Sequence, residues 1–416
     1  MRITVITFGT EGDTRPIIAL CHGLQAKGHQ VTLLVERTAL NLAQSWKVRA
    51  QALSGDMLAS LQAQGVLSPL MKKGGDATQL SKALAKIASE NTAAWMQVLV
   101  EQAQGSDLIL YSGLAAYVGL SVADYLRIPA IGLGLWPMSP TREFPSPLLP
   151  PWHLTGWLNY ISHLAINGLL WRLFRKTLNQ ARQQVCGQAP RYKMWRDYPI
   201  LYGVSPHLVP TPHDWLPVWK LCGNWQLPLS SGWQAPSALQ DFLATGEPPI
   251  YVGFGSMAGF DQQRLLNIVV EATQGKRVVF LAGWSGIRAE QLPKHFFMVN
   301  NIPHDWLFPK MSLIIHHGGA GTTHAAARAG IPEIILPFAG DQFFWAGRLA
   351  DLGISPEYIA SQKITAESLA THIQFAQQAN VQAKAKTLGL LMEQEDGIQA
   401  AIQQIETWMI KPMLLQ

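Results

Sequence analysis

Cysteine is almost absent from this chain: three residues in 416, Cys21, Cys186 and Cys222, with no CxxC pair among them. That excludes a disulfide frame or a thiolate metal centre as the device that organises the fold. Charge is sparse as well, at 14%, and the net +5 is not gathered into any Lys/Arg block. Nucleic acid is therefore not an expected partner. No uninterrupted apolar run reaches the roughly 18 residues that a spanning helix needs. The opening MRITVITFGT leads straight into glycine turns, unlike a secretory leader. The expected location is the cytoplasm, free or peripheral on the inner face of the membrane. There is no DxD triplet, no HExxH and no grouped His/Cys spacing, so no metal is expected. No GxGxxG follows a strand, which argues against a nicotinamide-dependent dehydrogenase. Tandem repeats are missing too.

What is present is an alternation of strand and helix, long enough for two domains. Ile3-Thr4-Val5-Ile6-Thr7-Phe8 is a β-branched run of the kind buried in parallel sheets. Gly9-Thr10-Glu11-Gly12-Asp13-Thr14-Arg15-Pro16 follows, with Asp13 or Thr14 the expected cap and Pro16 in the first helical turn. Ile17, Leu20, Cys21 and Leu24 share one helical face, and residues 31–35 form the next strand. Residues 39–104 read as mostly helical, 107–111 and 128–133 as strands, and 155–186 as one long helix. A Pro/Trp-rich stretch at 205–236 leads into the expected linker near 226–238, and a second α/β series opens at residue 249. The expected architecture is α/β, with domains at 1–230 and 231–396 and a last helix within 397–416.

The richest segment is 313–351. Leu313-Ile314-Ile315 runs into His316-His317-Gly318-Gly319-Ala320-Gly321-Thr322-Thr323, then a short Ala-rich helix, a second apolar run and Gly340-Asp341-Gln342. A strand end, a glycine turn and the N-terminus of a helix starting at Gly321 offer free N–H groups and a favourable dipole to a diphosphate. Close packing through small residues explains the same glycines equally well. Asp341 and Gln342 divide the hydroxyls of a sugar between an acceptor and a donor–acceptor; alternatively Asp341 caps the following helix. Gly255-Ser256 is a second turn facing the same anion, or a plain βα turn. Asp13 lies at the matching turn of the first half and suits a general base, with Glu11 a weaker candidate. The aromatic stretch 136–171 lines an acceptor pocket, lies on a membrane, or packs in the core.

Taken together, these residues resemble the UDP-glycosyltransferase superfamily, glycosyltransferase family 1, closest to sterol glucosyltransferases and the bacterial glycosyltransferases of glycopeptide antibiotics. PHDWLFP (303–309), HHGGAGTTHAAARAGIP (316–332) and PFAGDQFFWAGRLADLG (337–353) carry the resemblance, supported by FGTEGDTRP (8–16) and EDG (395–397). It implies a GT-B fold, two Rossmann-like domains facing a cleft, with the last helix crossing back to the first domain. It also implies an inverting O-glycosyltransferase moving glucose from UDP-glucose, a co-substrate and not a cofactor, to a lipophilic alcohol. Asp13 would be the base. His317, Gly319, Gly321, Thr322 and Ser256 would hold the diphosphate, and Asp341 and Gln342 the sugar. Ile302, Pro303, Trp306 and Trp284 would border the nucleobase. Glu11, Trp136, Met138 and Phe144 are the acceptor-side candidates. Thr10-Glu11 stands where those branches usually carry Ser-Arg. Competing expectations are a nucleotide-sugar 2-epimerase on the same fold and a membrane-associated binding protein without catalysis.

Overall fold

A computed structural model describes the chain except for residues 57–58, 61–76, 230–231, 256–260, 284–286, 289, 291 and 411–416, with the backbone alone at 77–85. Seven strands form one parallel sheet: β1 (Arg2–Phe8), β2 (Gln30–Glu36), β3 (Ala50–Leu53), β4 (Leu108–Gly113), β5 (Ala130–Gly134), β6 (Ile200–Tyr202) and β7 (Trp219–Leu221). Five more form a second parallel sheet: β8 (Ile250–Gly253), β9 (Val278–Leu281), β10 (Phe296–Val299), β11 (Leu313–His316) and β12 (Glu333–Ile335). The helices are α1 (Glu11–Ala26), α2 (Leu40–Ser45), α3 (Ala77–Gln102), α4 (Ala116–Leu126), α5 (Gly156–Cys186) and α6 (Ser237–Ala244). They continue with α7 (Gln262–Ala272), α8 (His304–Leu307), α9 (Ala320–Arg328), α10 (Gln342–Asp351), α11 (Ala366–Ala376), α12 (Ala379–Glu393) and α13 (Gly397–Ile410).

Both sheets are covered on two faces, which is why their central strands carry apolar residues on both sides. Successive side chains of one strand point to opposite sides. Ile3 and Val5 of β1 accordingly join the cluster under α1, while Ile6 and Phe8 join the one containing Trp95 and Trp171. The second sheet repeats the rule, with Leu313 and Ile315 on one face and Ile314 on the other. Ala401, Ile402, Ile405 and Trp408 of α13 sit in the same cluster as Ile17, Leu20 and Leu24 of α1. A third group joins the halves directly, with Phe144, Tyr202 and Leu208 packed among Ile335, Phe344 and Trp345.

The strand orders are 3-2-1-4-5-6-7 and 10-9-8-11-12, so each sheet reverses direction beside its first strand. Ligands of open α/β sheets bind at the strand C-termini at such a reversal. Here the reversals lie between β1 and β4 and between β8 and β11, which selects the turns after Phe8 and after His316.

Four sequence expectations change. α1 begins at Glu11, not near Pro16, and Pro16 sits inside the helix. The cause is Thr10, which starts the helix one turn earlier with Asp13 folding back on it. The stretch 39–104 contains a strand, β3, and the loop-like 205–236 contains β7. Both are three or four residues long, too short to show a period. α9 likewise starts at Ala320, one residue before the expected Gly321.

Candidate active site between the two sheets

The β1–α1 turn presents a carboxylate. The backbone N–H and the hydroxyl of Thr10 both donate to Asp13 Oδ2, at 2.8 and 2.9 Å. Gly9 makes this possible, because a Cβ there would stand 2.6 Å from that oxygen. Burial raises the pKa of Asp13, and the two Thr10 bonds oppose the shift. The carboxylate is thus held at a higher pKa than an exposed one. Glu11 is exposed and holds Arg15 at 2.6 Å across one helical turn.

The β11–α9 turn presents the reverse. Its cap is Gly319, which has no side chain to offer, and the first helical backbone bond is that from Thr323 N–H to Gly319 C=O, 3.0 Å. The N–H groups of Ala320, Gly321 and Thr322 precede it and have no partner within the helix. A Cβ on Gly321 would meet open space, whereas one on Gly319 would stand 2.6 Å from His317 Nε2. The latter glycine therefore clears room for the imidazole. Burial lowers the His317 pKa to about 4, opposed by the Gly253 carbonyl, so the ring is neutral near pH 7. Its Nδ1 is buried without a well-aligned hydrogen bond.

Asp341 precedes α10 without capping it; its Oδ2 instead accepts from Trp345 Nε1–H at 2.9 Å. Burial, with the charge of Asp13 adding to it, raises Asp341 to about 6 against the Trp345 bond. Gln342 is buried, and its Oε1 accepts from Phe338 N–H (2.7 Å) and Ala339 N–H (3.1 Å). Its carbonyl thus folds its own loop, which takes up the acceptor half of the role expected of Gln342.

The remaining candidates divide. Ile302 is buried, and Pro303 precedes the short α8. Trp306 packs edge-on to Trp233 at 5.2 Å under Lys310, beside a hollow of about 270 Å³ lined by Leu229, Trp233 and Gln240. Ser256 and Trp284 lie outside the described residues. On the acceptor side, Trp136 and Met138 are half-buried. Phe144 is buried against Phe344 (5.4 Å) and His163, so its ring packs between the halves and is not open to an acceptor. The Thr141 hydroxyl and Arg142 N–H both donate to Asp214, fixing that loop.

Two supports escaped sequence reasoning. His316 Nδ1 accepts from Gly318 N–H (3.1 Å), so its Nε2–H donates to Glu333 at 2.8 Å. Burial drives His316 down and Glu333 up, and this buried pair fixes the turn at Gly318, where φ is 89°. His324 Nδ1–H donates to Ala320 C=O (2.7 Å), and its Nε2 accepts from Ser205 N–H of the other half (3.1 Å). Its ring lies against Trp345, the partner of Asp341, at 5.1 Å. Nothing in the local sequence marks either histidine, because each partner lies on another element.

Two parallel sheets, each reversing beside its first strand, with a glycine-capped helix start on one and a carboxylate turn on the other, form the architecture of GT-B type. Residues 264–395 match the family described as erythromycin biosynthesis protein CIII-like, C-terminal domain. Sterol 3-beta-glucosyltransferase UGT80B1 of Arabidopsis thaliana is 32% identical over 417 residues, covering 97% of this chain and 67% of that protein. Sterol 3-beta-glucosyltransferase of Debaryomyces hansenii is 33% identical over 431 residues, and the chain spans only 26% of its length. Among solved structures, the glycotransferase of kitacinnamycin superposes with a TM-score of 0.71 at 17% identity, over 100% of this chain and 99% of that one. Glycosyltransferase VinC in complex with dTDP gives 0.62 at 16% identity, over 99% and 100%. The chain belongs to the UDP-glycosyltransferase superfamily, with the sterol glucosyltransferases.

Proposed function

We propose that the protein is an inverting O-glycosyltransferase that moves glucose from UDP-glucose to a hydroxyl of a lipophilic acceptor such as a sterol, terpenoid or polyketide. The observation that carries this reading is the opposition of Asp13 and Asp341, one on each half, near enough for the charge of one to raise the pKa of the other. Asp13 takes the proton of the acceptor hydroxyl. The freed oxygen attacks the anomeric carbon, the bond from that carbon to the β-phosphate oxygen breaks, and its electron pair leaves with UDP. Attack from the face opposite the leaving group inverts the centre. Burial brings the pKa of Asp13 closer to a working pH, which favours a general base.

The N–H groups of Ala320, Gly321 and Thr322 and the ring of His317 receive the charge that develops on UDP, an electrostatic role that serves without a metal. Asp341 holds the sugar. In this reading residues 1–230 supply acceptor and base, 231–396 the donor site, and 397–416 the closing helix. The names of the relatives support the sterol class, and the dTDP complex of VinC supports a nucleoside diphosphate as leaving group. Incubating the protein with UDP-glucose and a panel of sterols, flavonoids and polyketides should yield one hexose mass increment on the lipophilic members. Products from none of them, or an epimerised sugar from UDP-N-acetylglucosamine alone, would overturn the proposal.

A further inference from the structure

The outer face of α5 is unlike the rest of the surface. Among the described residues, seven of the thirteen exposed large apolar side chains fall between residues 152 and 192. Six of them are Trp152, Trp157, Tyr160, Ile161, Leu164 and Leu169, with Trp157 60% and Ile161 48% exposed. A core does not leave such residues in water, and a contiguous apolar patch marks an interaction surface. Residues 161, 165, 169, 172 and 176 follow one helical line by their spacing, which passes from Ile161 and Leu169 to the exposed Arg172 and Lys176. Trp171 Nε1–H donates to Tyr192 C=O at 3.1 Å, which brings exposed Tyr192 and Lys193 alongside the basic half.

Charge follows the same segment. Residues 151–200 hold seven Lys and Arg and a single Asp, so this stretch alone is +6 while the whole chain is +5. The basic residues are scattered through sequence and converge only on the folded surface.

We propose that the outer face of α5, together with the loop carrying Tyr192 and Lys193, docks on a bilayer containing anionic lipids. The described residues include no helix long and apolar enough to cross a membrane, so α5 lies on the surface and does not span it. At about 1.5 Å per residue the helix is roughly 45 Å long. Its aromatic and aliphatic half enters the headgroup boundary, and its basic half meets lipid phosphates. A second copy of this chain fits less well. A two-fold contact would set the patch against itself and bring like charges together. Ile161, Leu164 and Leu169 have nothing to offer a nucleic acid backbone.

The inner side of the same helix explains what docking achieves. Asn159 Nδ2–H donates to Arg142 C=O (2.9 Å), Ser146 N–H donates to Ser162 Oγ (2.9 Å), and His163 Nε2–H donates to Phe144 C=O (3.1 Å). α5 therefore holds the loop that carries Trp136, Met138 and Phe144 against the bilayer, where a lipophilic acceptor dissolves. This consequence, though not the docking itself, rests on the function proposed above.

The test is co-sedimentation of the full chain with vesicles of phosphatidylcholine alone and of phosphatidylcholine mixed with phosphatidylglycerol, at low and high salt. Wild-type protein should pellet with the anionic vesicles, and salt should release it. Ile161→Asp with Leu164→Asp should lower partitioning by roughly tenfold or more, and Arg172→Glu with Lys176→Glu should do the same for anionic vesicles only. All four positions are exposed, so the variants should melt like wild type. No retention of wild type, or equal retention of the variants, overturns the proposal. So does a dimer in gel filtration that Ile161→Asp with Leu164→Asp dissociates. The readout needs no turnover: docking without glycosylation of any acceptor sinks the proposed function and leaves this inference standing.

Discussion

The two turns at the sheet reversals have the same topology and opposite electrostatics. After β1, the helix start is answered from within, because Thr10 and Asp13 bond to each other and the turn carries a carboxylate. After β11, the cap is a bare glycine and the first N–H groups of α9 are left to whatever approaches. A glycine beside each turn clears space for one side chain, Gly9 for Asp13 and Gly319 for His317, with the same 2.6 Å intrusion if a Cβ were added. One fold element thus makes a site for a proton and, with a side chain removed from the cap, a site for an anion.

The largest effect should come from erasing the carboxylate of the first turn. Asp13→Asn keeps the shape and removes the base, so turnover should fall by about 10²–10⁴-fold. UDP affinity in calorimetry should be unchanged, because the other turn is the proposed diphosphate site. Near-normal turnover would remove Asp13 as base. A matching loss of UDP affinity would erase the division of labour between the turns.

Next in size is the anion turn. His317→Ala should weaken UDP binding by roughly tenfold, the scale of one hydrogen bond to a charged group. Gly319→Ala should act in the same direction without touching the ligand, because its Cβ displaces the His317 ring. Unaltered affinity in both variants would show that the phosphates lie elsewhere.

The two turns were legible in the sequence because their chemistry is local: a β-branched strand, glycines, and a polar residue one turn on. The alternation that defines two α/β halves was legible for the same reason, and so was the 31-residue α5. What stayed hidden depends on distance in the chain. β3, β6 and β7 exist because a neighbouring strand pairs with them, not because three or four residues show a period. The glycines of 318–321 suited a phosphate or close packing alike, and Gly319 makes room for the His317 ring, as Gly9 does for Asp13. Glu333 lies 17 residues from His316, and Ser205 lies 119 from His324, so neither support has a local signature. The basic surface of α5 was hidden likewise, since its charges meet across a helix and a loop.

The smallest expected effect concerns the third turn, which borrows from both. Asp341 carries a carboxylate, like the first turn, and stands on the donor half, like the second. Burial raises its pKa from 3.8 to about 6, so the folded protein without donor disfavours the ionised form. The sign follows: Asp341 costs the free protein stability as pH rises from the ordinary carboxylate range through about 6. A sugar hydroxyl that donates to the ionised carboxylate returns that stability. The rise in melting temperature on adding UDP-glucose should therefore be greater at pH 7.5 than at pH 5, and the apparent KM for donor should grow several-fold on acidification. Asp341→Asn should flatten both dependences. The methyl ester of UDP, which lacks the sugar and also the terminal phosphate ionisation that free UDP has at about 6, should show neither, because in this reading it reaches only the N–H groups of α9 and the His317 ring, which is neutral down to about 4. A pH dependence equally large with that ester would place the titrating group in the phosphate turn and remove Asp341 from the sugar.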